Sequence, residues 1–296
     1  MPDYLAPGVY VEETPFRSKS IEGISTTTAA FVGPARFGPL QGHQLVTSLT
    51  DYERCFGDGA PLTIGGATSV NYLWHAARAF FEEGGKRLVI ARVARPTDPA
   101  DPLSGHARAD MAALSLHASY PGTGGNARIT LTLSLGAGSA PASSDIVWNA
   151  PAQRFEQRVA GSQANSLPAI LVEAVVTRGT MMDGAATLSL DPAHPRALFA
   201  VFAQDVAAGD SALPVIITAA AGKSGLDILD ALFAANAGLK AALIDPASGR
   251  AARSLSIDLT NGNDGVPLDL AAYEEGLARL EAAEDVAAVA APGSTV

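Results

Sequence analysis

The sequence predicts an α/β domain, interrupted by an inserted antiparallel β domain and preceded by an extended N-terminal arm. Three observations carry this reading. Strand-like and helix-period runs alternate over residues 28–93 and resume after residue 213. Between them the apolar period switches to two, with Gly, Ser and Pro clusters separating the runs. Ahead of both lies a short β-forming run fenced by prolines. The expected divisions are an arm and linker over 1–22 and a first α/β part over 23–100. An inserted β domain over 101–212 and a second α/β part over 213–296 follow.

In the arm, Tyr4-Leu5-Ala6-Pro7-Gly8 is a turn signal and Val9-Tyr10-Val11-Glu12-Glu13 a strand rich in β-formers. Thr14-Pro15 stops it, because proline donates no ladder hydrogen bond and holds the preceding residue extended. A strand so isolated cannot bury both faces locally; it packs on its own domain's edge or is lent to another chain.

Thr28 to Gly33 reads as a buried strand and Asp51 to Gly57 as a short helix closed by glycine. From Ser69 to Glu83, Val70, Leu73, Trp74, Ala77, Phe80 and Phe81 recur at helical spacing. Ser69 is the expected N-cap and Gly84-Gly85 the stop. Arg87 to Val93 is the strand that follows, and residues 96–105, rich in Pro, Asp, Ser and Gly, form a crossing linker. Ile129 to Leu135 alternates cleanly and Phe155 to Val159 more weakly, as expected of an antiparallel sheet with one solvated face. Pro195 to Asp205 reads as helix and Leu213 to Thr218 as strand, and Ser224 or Gly225 opens a helix through Phe233. Leu268 to Glu284 is an amphipathic helix with Leu270, Tyr273, Leu277 and Leu280 on its apolar face. Val286 to Ala291 is expected to be a short buried strand. A strand and Pro292-Gly293 turn normally lead into more fold, so the C-terminus reads as cut.

Composition narrows the function. The 296 residues carry a formal net charge of -10 with a pI near 4.9, and no Lys/Arg cluster goes beyond a short pair such as Lys86-Arg87. No nucleic-acid partner is expected from that balance. One cysteine, Cys55, excludes an internal disulfide and a multi-cysteine zinc site. No signal peptide and no membrane span are expected, since the start lacks a basic and apolar leader and no run of about 18 apolar residues occurs.

Catalytic chemistry finds little support. Ala221-Gly222-Lys223-Ser224 sits between a strand and a helix, but a phosphate-cradling loop needs glycine where Ile217 stands. A turn is the better reading. His43, His75, His106, His117 and His194 are scattered without ligand spacing. No Gly-x-Ser-x-Gly elbow occurs, and the pairs Glu12-Glu13 and Glu82-Glu83 read as solvated faces. Asn261-Gly262-Asn263-Asp264-Gly265 lacks the acidic ligand series of a calcium loop and reads as a tight turn. The expectation is no enzyme, no catalytic residue, no cofactor and no metal.

Several segments together resemble the contractile tail sheath family, which includes the sheaths of phages, phage-tail-like bacteriocins and extracellular contractile injection systems. They are Tyr4 to Glu13, Ala30-Phe31-Val32-Gly33-Pro34-Ala35 with Gly38-Pro39, and Phe80-Phe81-Glu82-Glu83-Gly84-Gly85. Pro121-Gly122-Thr123-Gly124-Gly125-Asn126, Leu188 to Arg196, Asn261 to Gly265 and Glu284 to Gly293 complete the set. Gly124 stands where the family often carries a bulky residue. The resemblance covers the family's N-terminal part and implies a non-catalytic, subtilisin-like-fold sheath domain. It implies a subunit that polymerises helically around an inner tube and contracts to drive that tube through an envelope. Implied partners are neighbouring sheath subunits, the inner tail tube protein, and baseplate and terminator proteins. Assembly would occur in the bacterial cytoplasm, and the product would be a virion tail or released contractile particle. Tyr4, Val9, Tyr10, Val11, Glu12 and Glu13 would form a strand added to a neighbour's sheet. A baseplate or other virion component is the alternative reading, and a nucleotide-binding enzyme using Gly222-Lys223-Ser224 a more remote one.

Overall fold

The computed structural model describes residues 28–136, 145–158, 167–203 and 213–294; the arm residues Tyr4, Val9, Tyr10, Val11, Glu12 and Glu13 lie outside them. The chain opens with β1 (Thr28–Gly33), β2 (Gln44–Val46), α1 (Leu49–Phe56), β3 (Leu62–Ile64), β4 (Ala67–Ser69), α2 (Tyr72–Glu82) and β5 (Arg87–Arg92). Next come β6 (Arg108–Met111), β7 (Leu114–Ala118), a single 3-10 turn at Thr123–Gly125, β8 (Ala127–Gly136), β9 (Ile146–Asn149) and β10 (Arg154–Gln157). β11 (Ala169–Arg178), β12 (Met181–Leu188), α3 (Leu198–Val201), β13 (Val215–Ala219), α4 (Gly225–Ala235) and α5 (Leu239–Ile244) follow. β14 (Ser254–Leu259), α6 (Leu270–Leu280) and β15 (Ala288–Ala290) close the described chain.

Among the described residues the first sheet runs β15-β1-β5-β2, with β1 parallel to both β15 and β5 and β2 antiparallel to β5. β5 is buried at every position after Arg87 because both its faces are covered, as a central parallel strand requires. On one face Leu88 and Ile90 pack with Tyr52, Phe56, Leu73 and Ala77 of α1 and α2. On the other, Val89 and Ala91 join Ala30, Val32 and Tyr273 of α6.

A second, antiparallel sheet runs β10-β9-β11-β8-β14, with β12 also paired to β11, and β13-β7-β6 form a third. Their inward residues, among them Leu116, Ile129, Leu131, Leu133 and Ile217, share one core with Leu229 and Leu232 of α4. The molecule is thus a mixed helix–sheet fold in which period-two strands pack as the alternation predicts. The pairings β13–β7 and β14–β8 run across residue 212, where the inserted domain was expected to end.

Local chemistry explains the helix starts. Ser48 caps α1 by accepting from Asp51 N, and Gly57 ends it at φ 90°. Ser224, one of the two residues expected to open this helix, caps α4 in a reciprocal box with Asp227.

Four expectations are corrected. The cap of α2 is Asn71, which accepts from Trp74 N, while Ser69 belongs to β4. The helix expected over 195–205 is a single turn, α3, within its described part. On α6 the buried residues are Ala272, Tyr273, Gly276 and Leu280, whereas Leu270 and Leu277 are 56% and 43% exposed. The contact centres on a glycine: a Cβ at Gly276 would stand 2.5 Å from Val32 Cγ1, so the helix sits close to the sheet on that line, with Leu270 and Leu277 turned away from it. Finally, β15 is exposed at all three positions, because it is an edge strand and nothing described covers either of its faces.

Candidate functional site

A dense polar construction lies where β5 ends. A continuous apolar strand finishes on Arg92, which is 1% exposed. Its guanidinium donates from Nε to Ala35 O (3.1 Å), from Nη1 to Gly38 O (2.6 Å) and from Nη2 to Pro121 O (2.7 Å). Three carbonyls from two loops thereby satisfy a cation held out of water. Burial pushes its pKa down to about 10, against the pull of Asp264 and Tyr52.

Asp264 is 5% exposed and ties together the other segments of this hub. It accepts from Thr63 N (2.7 Å), from Thr123 N (2.8 Å) and from the Thr123 hydroxyl at 2.9 and 3.0 Å. The same hydroxyl accepts from Arg36 Nε (3.1 Å), and Arg36 is paired with Asp58. Gly105 O receives two donors, Gly122 N and Asn263 N, each at 3.0 Å.

Backbones approach here too closely for side chains. Gly122 holds φ +126°, and a Cβ on it would stand 2.0 Å from Arg36 O; Gly265 holds φ +87°, with its Cβ 2.0 Å from Arg95 O. The loop after β1, the 121–126 turn and the 261–265 turn are therefore fitted to one another around Arg92. These are three of the segments that carry the resemblance to tail sheaths, brought together from distant parts of the chain.

Beside the hub lies a cavity of about 520 Å³, lined in part by Arg92, Asp264, His106, His117, Tyr120 and Pro102. Its serine hydroxyls are engaged elsewhere. Ser119 Oγ donates to Leu213 O (2.6 Å), and Ser104 Oγ bonds Thr97 Oγ1 and Asp98 N (3.0 Å each). Neither is poised beside an imidazole as a nucleophile would be.

Other residues singled out from the sequence have structural partners. Gly222 is a turn residue at φ 74°, and the Ser224 hydroxyl bonds Asp227, so this segment starts a helix. Two histidines that look solitary in sequence, His106 and His117, stand with ring centroids 6.0 Å apart. His194 Nε2 lies 3.6 Å from Asp145 Oδ1, both buried, and Arg158 Nη1 lies 3.9 Å from Asp145 Oδ2. His43 Nδ1 pairs with Arg279 O (3.1 Å), and His75 packs edge-on against Trp74. Among the described residues no group of three or more His, Cys, Asp or Glu could hold a metal ion. No described helix is long and apolar enough to cross a membrane.

Sequence reasoning missed Arg92 and took Asp264 for an ordinary turn residue. The available signal was a charge closing an otherwise apolar run, Leu88-Val89-Ile90-Ala91-Arg92. A buried strand end keeps an arginine only where carbonyls meet it.

No protein-family model and no curated protein matches the chain. Among the solved structures similar to it are two sheath tail proteins. A sheath tail protein of Desulfitobacterium hafniense aligns over 94% of this chain and 44% of its own, at 14% identity and a TM-score of 0.41. A sheath tail protein of Listeria innocua aligns over 86% of this chain and 38% of its own, at 12% identity and a TM-score of 0.42. The chain thus spans less than half the length of either protein.

Proposed function

We propose that the chain is a structural subunit of a contractile tail sheath, contributing the arm and outer domains of a helical polymer. The observation that supports it most is the hub. Segments that resemble sheath motifs, around Gly33-Pro34, Pro121 to Asn126 and Asn261 to Gly265, converge on Arg92 and Asp264 with their hydrogen bonds made within the chain. Such a site ties the first sheet to the segments that lead into the antiparallel sheets. That suits a rigid building block.

A second feature supports assembly. β15 is paired on one side to β1, and among the described residues no strand pairs its other side. On α6, Glu275 bonds Arg95 and Arg279 bonds Arg92 O, which fixes that flank of the helix beside the end of β5. At about 100° per residue, Leu270 and Leu277 fall on the opposite flank, toward β15. Val289 of β15 is likewise exposed, at 53%, so large apolar side chains face outward on both elements. Soluble proteins blunt or cover unpaired strand edges, and an uncovered one is a template for another strand. In this reading the Val9–Glu13 strand of a neighbouring subunit adds to such an edge. Its backbone hydrogen bonds supply attachment, and Val9 and Val11 face opposite to Tyr10. Each bond contributes about 0.5–1.5 kcal/mol, and a lattice repeats them.

Deleting Met1 to Glu13 tests the exchange. The full chain is expected to form high-mass species in light scattering, and the truncated chain to keep its circular dichroism spectrum but lose them. Undiminished assembly after truncation would exclude the arm as the connector.

A further inference from the structure

His106 sits at the last step of the crossing segment, immediately after Gly105, whose carbonyl receives both Gly122 N and Asn263 N. It therefore adjoins the point where that segment is fastened to the hub. Its ring meets His117 of β7 edge-on, with centroids 6.0 Å apart, on the wall of the 520 Å³ cavity. His106 Nδ1 is buried and has no hydrogen-bond partner. A neutral imidazole tolerates this by leaving that nitrogen unprotonated. An imidazolium carries N–H groups on both ring nitrogens, and Nδ1 meets no acceptor in this geometry; a backbone hydrogen bond with Leu103 favours the charged form, but burial outweighs it.

The surrounding charges point the same way. His117 of β7, Arg108 of β6 and Arg92 of β5 all act against a positive charge on His106. Asp101 of the crossing segment favours one, yet it is already paired with Arg108. Of the cavity's other charged groups, Asp264 is held by Thr63 and Thr123, and Arg95 by Asp269 and Glu275.

We infer that the His106–His117 pair is an acid-sensitive latch: protonation of His106 loosens the crossing segment from the hub and so frees the α/β body to move against the antiparallel sheets. Burial, the largest cause, holds the His106 pKa below the ordinary histidine value. The sign follows from linkage. The neutral form is favoured on folding, so its stabilisation is complete above the unfolded pKa, about 6.5. It is lost as pH falls through that value toward the lower pKa of the folded chain. Each unit between the two pKa values multiplies the open population tenfold.

The test is hydrogen exchange by mass spectrometry on the full chain at pH 7.5 and pH 5.0, corrected for intrinsic exchange rates. Peptides covering 96–107, 121–126 and 261–265 are expected to lose protection at pH 5.0, while β8 and β11 keep theirs. His106→Gln, which cannot be protonated, should exchange alike at both pH values in those peptides; His117→Gln should show a smaller acid response than the parent. If His106→Gln fails to fold, titration of the His106 imidazole in the parent by NMR decides. Titration below the ordinary value together with segmental opening supports the latch. Equal protection at both pH values, acid opening that persists in His106→Gln, or titration at or above about 6.5 overturns it.

Discussion

The two ends of the first sheet's design contrast sharply. At the end of β5 every polar group of a buried arginine is met, and three loops are fitted around it at distances only glycine allows. At β15, one strand beyond β1, no described strand pairs the outer edge, and Val289, like Leu270 and Leu277 of α6, is exposed. The first region spends its interactions within the chain; the second keeps them available. Under the proposed function, stability is concentrated where the sheets are joined and association would use the sheet's outer edge.

Substitutions at the two places should separate these roles. Asp264→Ala leaves Thr63 N, Thr123 N and a buried guanidinium without their acceptor or counter-charge. It should lower the unfolding free energy by about 3–5 kcal/mol in urea denaturation. Gly265→Ala forces a Cβ against Arg95 O at positive φ and should cost about 2–3 kcal/mol by the same measurement. Val289→Lys places a charge on an exposed edge and should change monomer stability by no more than about 0.5 kcal/mol. It should nevertheless reduce assembly, read as the loss of high-mass species in light scattering. A large stability loss from Val289→Lys would mean that β15 is covered, and an intact lattice would mean that it is not an interface. Either outcome would erase the contrast.

Much of the fold was legible in sequence because it is locally encoded. Ser224 and Asp227 stand three residues apart and make the capping box of α4. The period of Ile129, Leu131 and Leu133 gives the inward face of β8, and an unbroken apolar run gives β5. What was not legible depends on partners. Burial of Val286 to Ala291 could not be judged from an apolar run, since exposure is set by what lies alongside. The face of α6 was misjudged because Gly276 counts for nothing in an apolar pattern, yet it sets the line of closest contact. Ser69 and Asn71 are both competent caps, and pairing of Ser69 with Leu62 left Asn71 to act. The hub joins Arg92, Thr123 and Asp264 from three remote segments, so only the fold shows that they are one site. For the same reason five solitary histidines concealed the His106–His117 pair.

Electron microscopy of the concentrated full chain tests the central claim most directly. A sheath subunit is expected to form tubes, rings or stacked discs with a regular helical repeat, which Val289→Lys and removal of Met1 to Glu13 both diminish. Uniformly monomeric particles at every concentration, from a chain whose folded state is confirmed in the same sample, would contradict it.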